Sequence, residues 1–143
     1  MLMVPHAIVV DFAVALLVTS FICDLIAATV EERDLRIVAW WTLQFGALAA
    51  AFALLSGFAA AQGISGSDQL TRTLLNHRNL AIITVACFAA CLAWRAALRG
   101  AFPQRHQGLY WALAGLGTVT LILTGYHGGI LVFRLGVGVL ALS

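Results

Sequence analysis

The sequence predicts an all-α integral membrane protein, a four-helix bundle of up-down topology. Three observations carry this reading. Of the 143 residues, 62% are hydrophobic and only 10% are charged, whereas soluble domains average roughly 45–50% and about 25%. The apolar residues fall in long continuous runs, each exceeding the ~20 residues that a spanning helix needs; barrel strands would alternate over short segments instead. Short polar stretches separate the runs, so consecutive helices are antiparallel neighbours.

The first segment runs from about Pro5 to Val30 and ends at the charged cluster Glu31-Glu32-Arg33-Asp34. No positive region precedes it and no clean cleavage site follows it, so it reads as a retained helix rather than a secretory signal. The second runs from about Arg36 to Ala61 and stops in the Gly- and Ser-rich stretch 62–68. There Ser65, Ser67 and Asp68 read as turn chemistry. The third runs from about His77 to Leu98, where Gly100 and Pro103 break it. The fourth runs from about Gly108 to Phe133 and is followed by Arg134. Together they make one transmembrane domain over residues 1–143.

Arginines bias the first and third loops (Arg33, Arg36, Arg99, Arg105, with Arg95 nearby) over the opposite side (Arg72, Arg78, Arg134). The excess marks the inner side and places both termini outside, in the periplasm of a bacterial inner membrane. Trp40, Trp41, Tyr110, Trp94 and Trp111 read as an aromatic belt at the inner interface. Small residues from Gly46 to Gly57, and Gly115, Gly117, Gly125 and Gly129, offer surfaces for close helix approach. Cys23, Cys87 and Cys91 sit inside apolar runs and read as packing residues.

Ionisable groups inside a span are expensive and mark candidate sites. With ~1.5 Å of rise per residue, His6, His77 and His127 fall in one layer near the outer face. Asp11 lies roughly 7–8 Å deeper than His6. Asp24 and Arg95 are equally far from His6 and His77, so they reach one inner depth and are expected to pair. The histidine layer has three readings. Two imidazoles could ligate a b-type haem in the bundle core, beside Gly125, Gly128 and Gly129, with Arg78 and Arg134, as well as Arg72, placed to meet propionates. His6, His77, His127 and Asp11 could instead hold Zn or a similar divalent metal. Or the histidines are solvated or bonded to loops at helix ends, as His106 is expected to be. Nucleophile elbows, zinc-protease helices, phosphate loops and dinucleotide turns are absent. All eight basic residues are Arg and the net charge is only +2, which argues against nucleic acid as a partner.

The run His6-Ala-Ile-Val-Val-Asp11-Phe12-Ala13-Val-Ala15-Leu16-Leu17, with Asp24-Leu25 further on, resembles the start of an uncharacterised family of bacterial four-helix membrane proteins that opens HPxxVHFPxALL. Trp41-Thr-Leu43-Gln-Phe-Gly46-Ala47 followed by Gly57 is similar to its second helix, and His77 falls where the family has a His. Gly128-Gly129-Ile-Leu131-Val132-Phe133-Arg-Leu-Gly136-Val137-Gly138-Val139 resembles its closing GGxLVYxxGVGV. Asp11 stands at the family's second His, Ala7 and Ala13 replace two prolines, and Phe133 replaces a Tyr. The resemblance implies a haem or redox association, because family members occur fused to cytochrome c-like modules.

The expectation is therefore a small membrane redox subunit, an accessory rather than a stand-alone enzyme. Membrane lipid surrounds it, and other membrane or periplasmic redox subunits, or further copies of itself, are its expected partners. The alternatives are a structural or assembly subunit of a larger complex and a divalent-metal-binding membrane protein.

Overall fold

The computed structural model describes residues 3–30 and 32–138, all but the chain ends and Glu31. Glu31 of the first charged cluster and Val139 of the closing motif lie outside them. Four long helices follow one another: α1 (Met3–Val30), α2 (Arg33–Ala60), α3 (Asp68–Ala97) and α4 (Gln107–Gly129). All four are long and apolar enough to cross a membrane. A short 3-10 turn (Gln104–His106) leads into α4, and one π-helical turn (Ile130–Arg134) prolongs it.

The first, second and fourth segments begin and end within three residues of the spans read from the apolar runs. The third does not. α3 begins at Asp68, nine residues before His77, so His77 is inside the helix and not at its start. The extra turns carry Arg72 and Asn76, which lower the hydropathy without opposing helix formation. Ser67 starts the helix as N-cap: its hydroxyl accepts from the Leu70 amide at 3.3 Å. Asp68 follows in the first turn, where a negative charge suits the helix dipole.

The helices form two hairpins, α1 with α2 and α3 with α4. The hairpins meet through α2 on α3 and α1 on α4, which leaves α1 and α3 on one diagonal. The core is built mainly of small residues and a few large ones: Ala13, Ala39, Ala50 and Ala114 surround Leu17, Leu43 and Phe88. Large apolar side chains such as Phe52, Leu55, Ile122 and Phe133 point outward. A soluble bundle would reverse that order. In lipid, close packing of small residues holds helices together and the large ones meet acyl chains.

The two hairpins are copies of one plan. Residues 71 positions apart, the separation of Asp24 and Arg95, do the same work in each. Leu17 lies against Gly46 and Phe88 against Gly117, where an added Cβ would come within 2.8 and 3.1 Å of a neighbour. His6 lies against Gly57 and His77 against Gly128. Trp40 and Trp111 also correspond. Such a repeat in one orientation implies a pseudo-twofold axis along the membrane normal, between α1 and α3.

Candidate functional site

Two polar layers lie at opposite ends of the bundle. The layer at the end of the α1–α2 and α3–α4 connections is a charge cluster. Arg95 Nη1 donates to Asp24 Oδ2 at 2.8 Å, with both side chains almost fully buried. The pairing expected from equal depth is therefore present, and it joins equivalent positions of the two hairpins. Arg95 Nη2 also donates to the carbonyls of Arg36 at 3.3 Å and Gly100 at 3.4 Å. Its guanidinium lies 5.4 Å from the Trp40 ring. Arginine suits this place because its planar fork reaches a carboxylate, two carbonyls and an aromatic face together.

Tyr110 belongs to this cluster. Its hydroxyl donates to Asp24 Oδ2 at 3.2 Å, and the residue is 2% exposed. The aromatic-belt reading is corrected here: Tyr110 is on the inward face of α4, and its ring packs edge-on to Phe102 at 4.9 Å. Of the tryptophans, Trp41 is the one that is exposed. Gly100 closes α3 with φ +85°, and an added Cβ would sit 3.0 Å from Trp40 Nε1. Both conformation and space therefore require glycine there. Asp24 Oδ1, Arg95 Nε and Arg36 Nη1 are buried without a hydrogen-bond partner among the described residues.

The layer at the opposite end is the histidine pair. His6 Nδ1 lies 2.9 Å from Ser56 Oγ. That hydroxyl donates to the Ala53 carbonyl at 3.1 Å, so it accepts from His6, and Nδ1 carries the proton. His77 Nδ1 is 2.9 Å from the Thr124 carbonyl. A carbonyl only accepts, so Nδ1 is again the donor. Neither Nε2 has a hydrogen-bond partner among the described residues. A fixed Nδ1–H is the arrangement that orients a ligating imidazole. Gly57 and Gly128 make the cradle: an added Cβ would approach the two Cε1 atoms to 3.0 and 3.3 Å.

The other candidate residues are placed differently. His127 donates to the Leu123 carbonyl of its own helix at 2.9 Å and is half-buried. Asp11 is exposed on α1. His6, His77, His127 and Asp11 are not gathered as a four-ligand centre: among the described residues no three His, Cys, Asp or Glu side chains are grouped to hold a metal ion. Arg78 is exposed and lies over the Phe58 ring at 5.8 Å. Arg134 is exposed in the π-helical turn beside Tyr126, Gly129 and Phe133. Among the described residues Gly125 and Gly129 meet nothing in a neighbouring helix, so their GxxxG spacing serves no contact between these helices. The cysteines are free, with Cys87 and Cys91 buried.

The pair offers two imidazoles, a number that haem iron can take from protein and half of the four ligands of structural zinc. Sequence reasoning missed Ser56 and Thr124; it read Gly57 as helix-packing surface and Gly128 as room for a ring. Comparing the chain with itself would have paired the two glycines, because each lies at the same spacing beyond Gly46 or Gly117.

No curated protein and no solved structure matches the chain. A family model described as "Predicted membrane protein (DUF2231)" matches residues 4–141. That match covers nearly the whole of both hairpins, and the chain belongs to this family of membrane proteins.

Proposed function

We propose that this protein is a small redox subunit of a bacterial cytoplasmic membrane, with both termini on the periplasmic side. His6 and His77 would be the axial ligands of a b-type haem near the outer face. The carrying observation is that equivalent imidazoles on diagonal helices are each fixed through Nδ1 and keep Nε2 free. A bound haem supplies a one-electron couple. The chain's own residues orient the imidazoles, through Ser56 and the Thr124 carbonyl, and leave room for the rings, through Gly57 and Gly128. Arg78 and Arg134 are the cations on that side for propionates, and His127 is an outlying third imidazole.

An optical spectrum of protein purified after haem-replete expression tests this. Soret and α bands are expected, and His6→Ala or His77→Ala should each remove most of the signal. His127→Ala should leave it. A protein without bands, or bands that survive both ligand substitutions, would discard the reading.

One observation favours a second reading. Asp11 is exposed on an apolar spanning helix, where ionisable groups are normally turned toward protein or a polar cavity. That suits a structural or assembly subunit whose α1 face meets another subunit or a second copy. Its function should survive loss of His6 and His77. Elemental analysis for Fe, Zn and Cu separates both readings from a divalent-metal protein.

A further inference from the structure

Beyond the Asp24–Arg95 pair, the two hairpins also differ in chemistry at one place on the outer half of α3 and α4. A cleft of about 330 Å³ there is lined by Asn76, Asn79, Leu80, Ile83 and His127. The equivalent positions of the first hairpin are Pro5, Ile8, Val9, Phe12 and Ser56. Of these only Ser56 is polar, and it is turned to His6. The second hairpin has thus replaced an apolar strip by two amides and an imidazole, just beside the half-site of His77.

The cleft's chemistry is specific. Leu80 and Ile83 make an apolar floor at a surface that faces the bilayer, so a lipid-soluble molecule can enter sideways. No charged side chain lines it; Arg78 is on another face, over Phe58. That disfavours a phosphate and favours a neutral polar ring. The His127 Nδ1–H is used by the Leu123 carbonyl, so its Nε2 offers a lone pair and accepts a proton-bearing group. The two amides can donate or accept. The volume is at the small end of the roughly 300–1,000 Å³ typical of small-molecule sites, room for one ring.

We propose that this cleft binds the head group of a lipid-borne hydroquinone, one hydroxyl donating to His127 Nε2 and the other bonded by Asn76 or Asn79. The reduced form binds better than the oxidised form, because a quinone carbonyl would face the imidazole lone pair. The inference gives the proposed redox subunit its electron-donor class, and in that sense rests on that reading.

The test is photolabelling of the full chain in phosphatidylcholine nanodiscs with a short-chain azidobenzoquinone, oxidised or chemically reduced, followed by peptide mapping. Labels are expected on 76–83 and around His127, stronger with the reduced probe and competed by decylhydroquinone. The double variant N79L/H127L should lose about tenfold of the labelling, the effect of losing one or two hydrogen bonds. H127Q and N79A serve if the double variant fails to insert, with helicity checked by circular dichroism. His6→Ala should label as well as the unaltered chain, so failure of the haem reading and failure of this one are told apart. Equal labelling of the Ile8 and Phe12 face, no loss in the cleft variants, or displacement by added phosphatidylglycerol in place of decylhydroquinone would overturn the proposal.

Discussion

Replacing Arg95 by Ala is expected to destabilise the bundle by about 3–5 kcal/mol, the usual cost of leaving a buried charge unpaired. Asp24 would keep only the Tyr110 hydroxyl, inside a cluster closed to water. Two backbone carbonyls, of Arg36 and Gly100, would lose a donor as well. Removing both charges together, as Asp24→Leu with Arg95→Met, should recover most of that loss, because apolar replacement of a buried ion pair is often neutral or better. Unfolding in detergent by added denaturant, run as a double-mutant cycle, measures this. The strong coupling expected between the two positions would be refuted by additive single effects, or by an Arg95→Ala variant that unfolds like the parent.

The second large effect concerns ligand affinity. Gly57→Val and Gly128→Val should each weaken retention of the proposed haem by roughly 10–100-fold, the range seen when the residues that orient a ligand are disturbed. A branched side chain cannot fit where even a Cβ approaches an imidazole carbon to 3.0 or 3.3 Å. The ring must move, and its hydrogen bond to Ser56 or to the Thr124 carbonyl moves with it. The helices themselves should persist, with about 1–3 kcal/mol lost to overpacking. Haem titration of apoprotein beside a thermal melt separates the two quantities. Gly125→Val is the control, since nothing lies near it; equal loss in all three variants would mean that helix packing, and not the cradle, sets the affinity.

Much of this was legible in the sequence. Long apolar runs fixed the number of helices, because lipid demands internally bonded backbone over a set length. The Asp24–Arg95 pair was legible because helical rise converts equal sequence separation into equal depth. The start of α3 was not, since hydropathy marks where a helix enters lipid and not where it begins; Ser67 and Asp68 were the local signal. Tyr110 was misplaced because an aromatic near a span's end can face headgroups or turn inward with equal sequence support. The doubling of the hairpin was hidden because the copies share few residues beyond His6/His77, Trp40/Trp111, Gly46/Gly117 and Gly57/Gly128. Those few define contacts; the lipid-facing residues between them were free to diverge.

The charge pair has a consequence for how the chain is made. Each hairpin can enter the bilayer as a unit during synthesis, but it enters carrying one ion whose partner is on the other hairpin. The first hairpin holds an uncompensated carboxylate until α3 has been translated as far as Arg95. Two copies of the first hairpin would bring Asp against Asp, and two copies of the second Arg against Arg. The arrangement therefore rejects self-pairing during biogenesis and admits one docking, that of unlike halves within a completed chain.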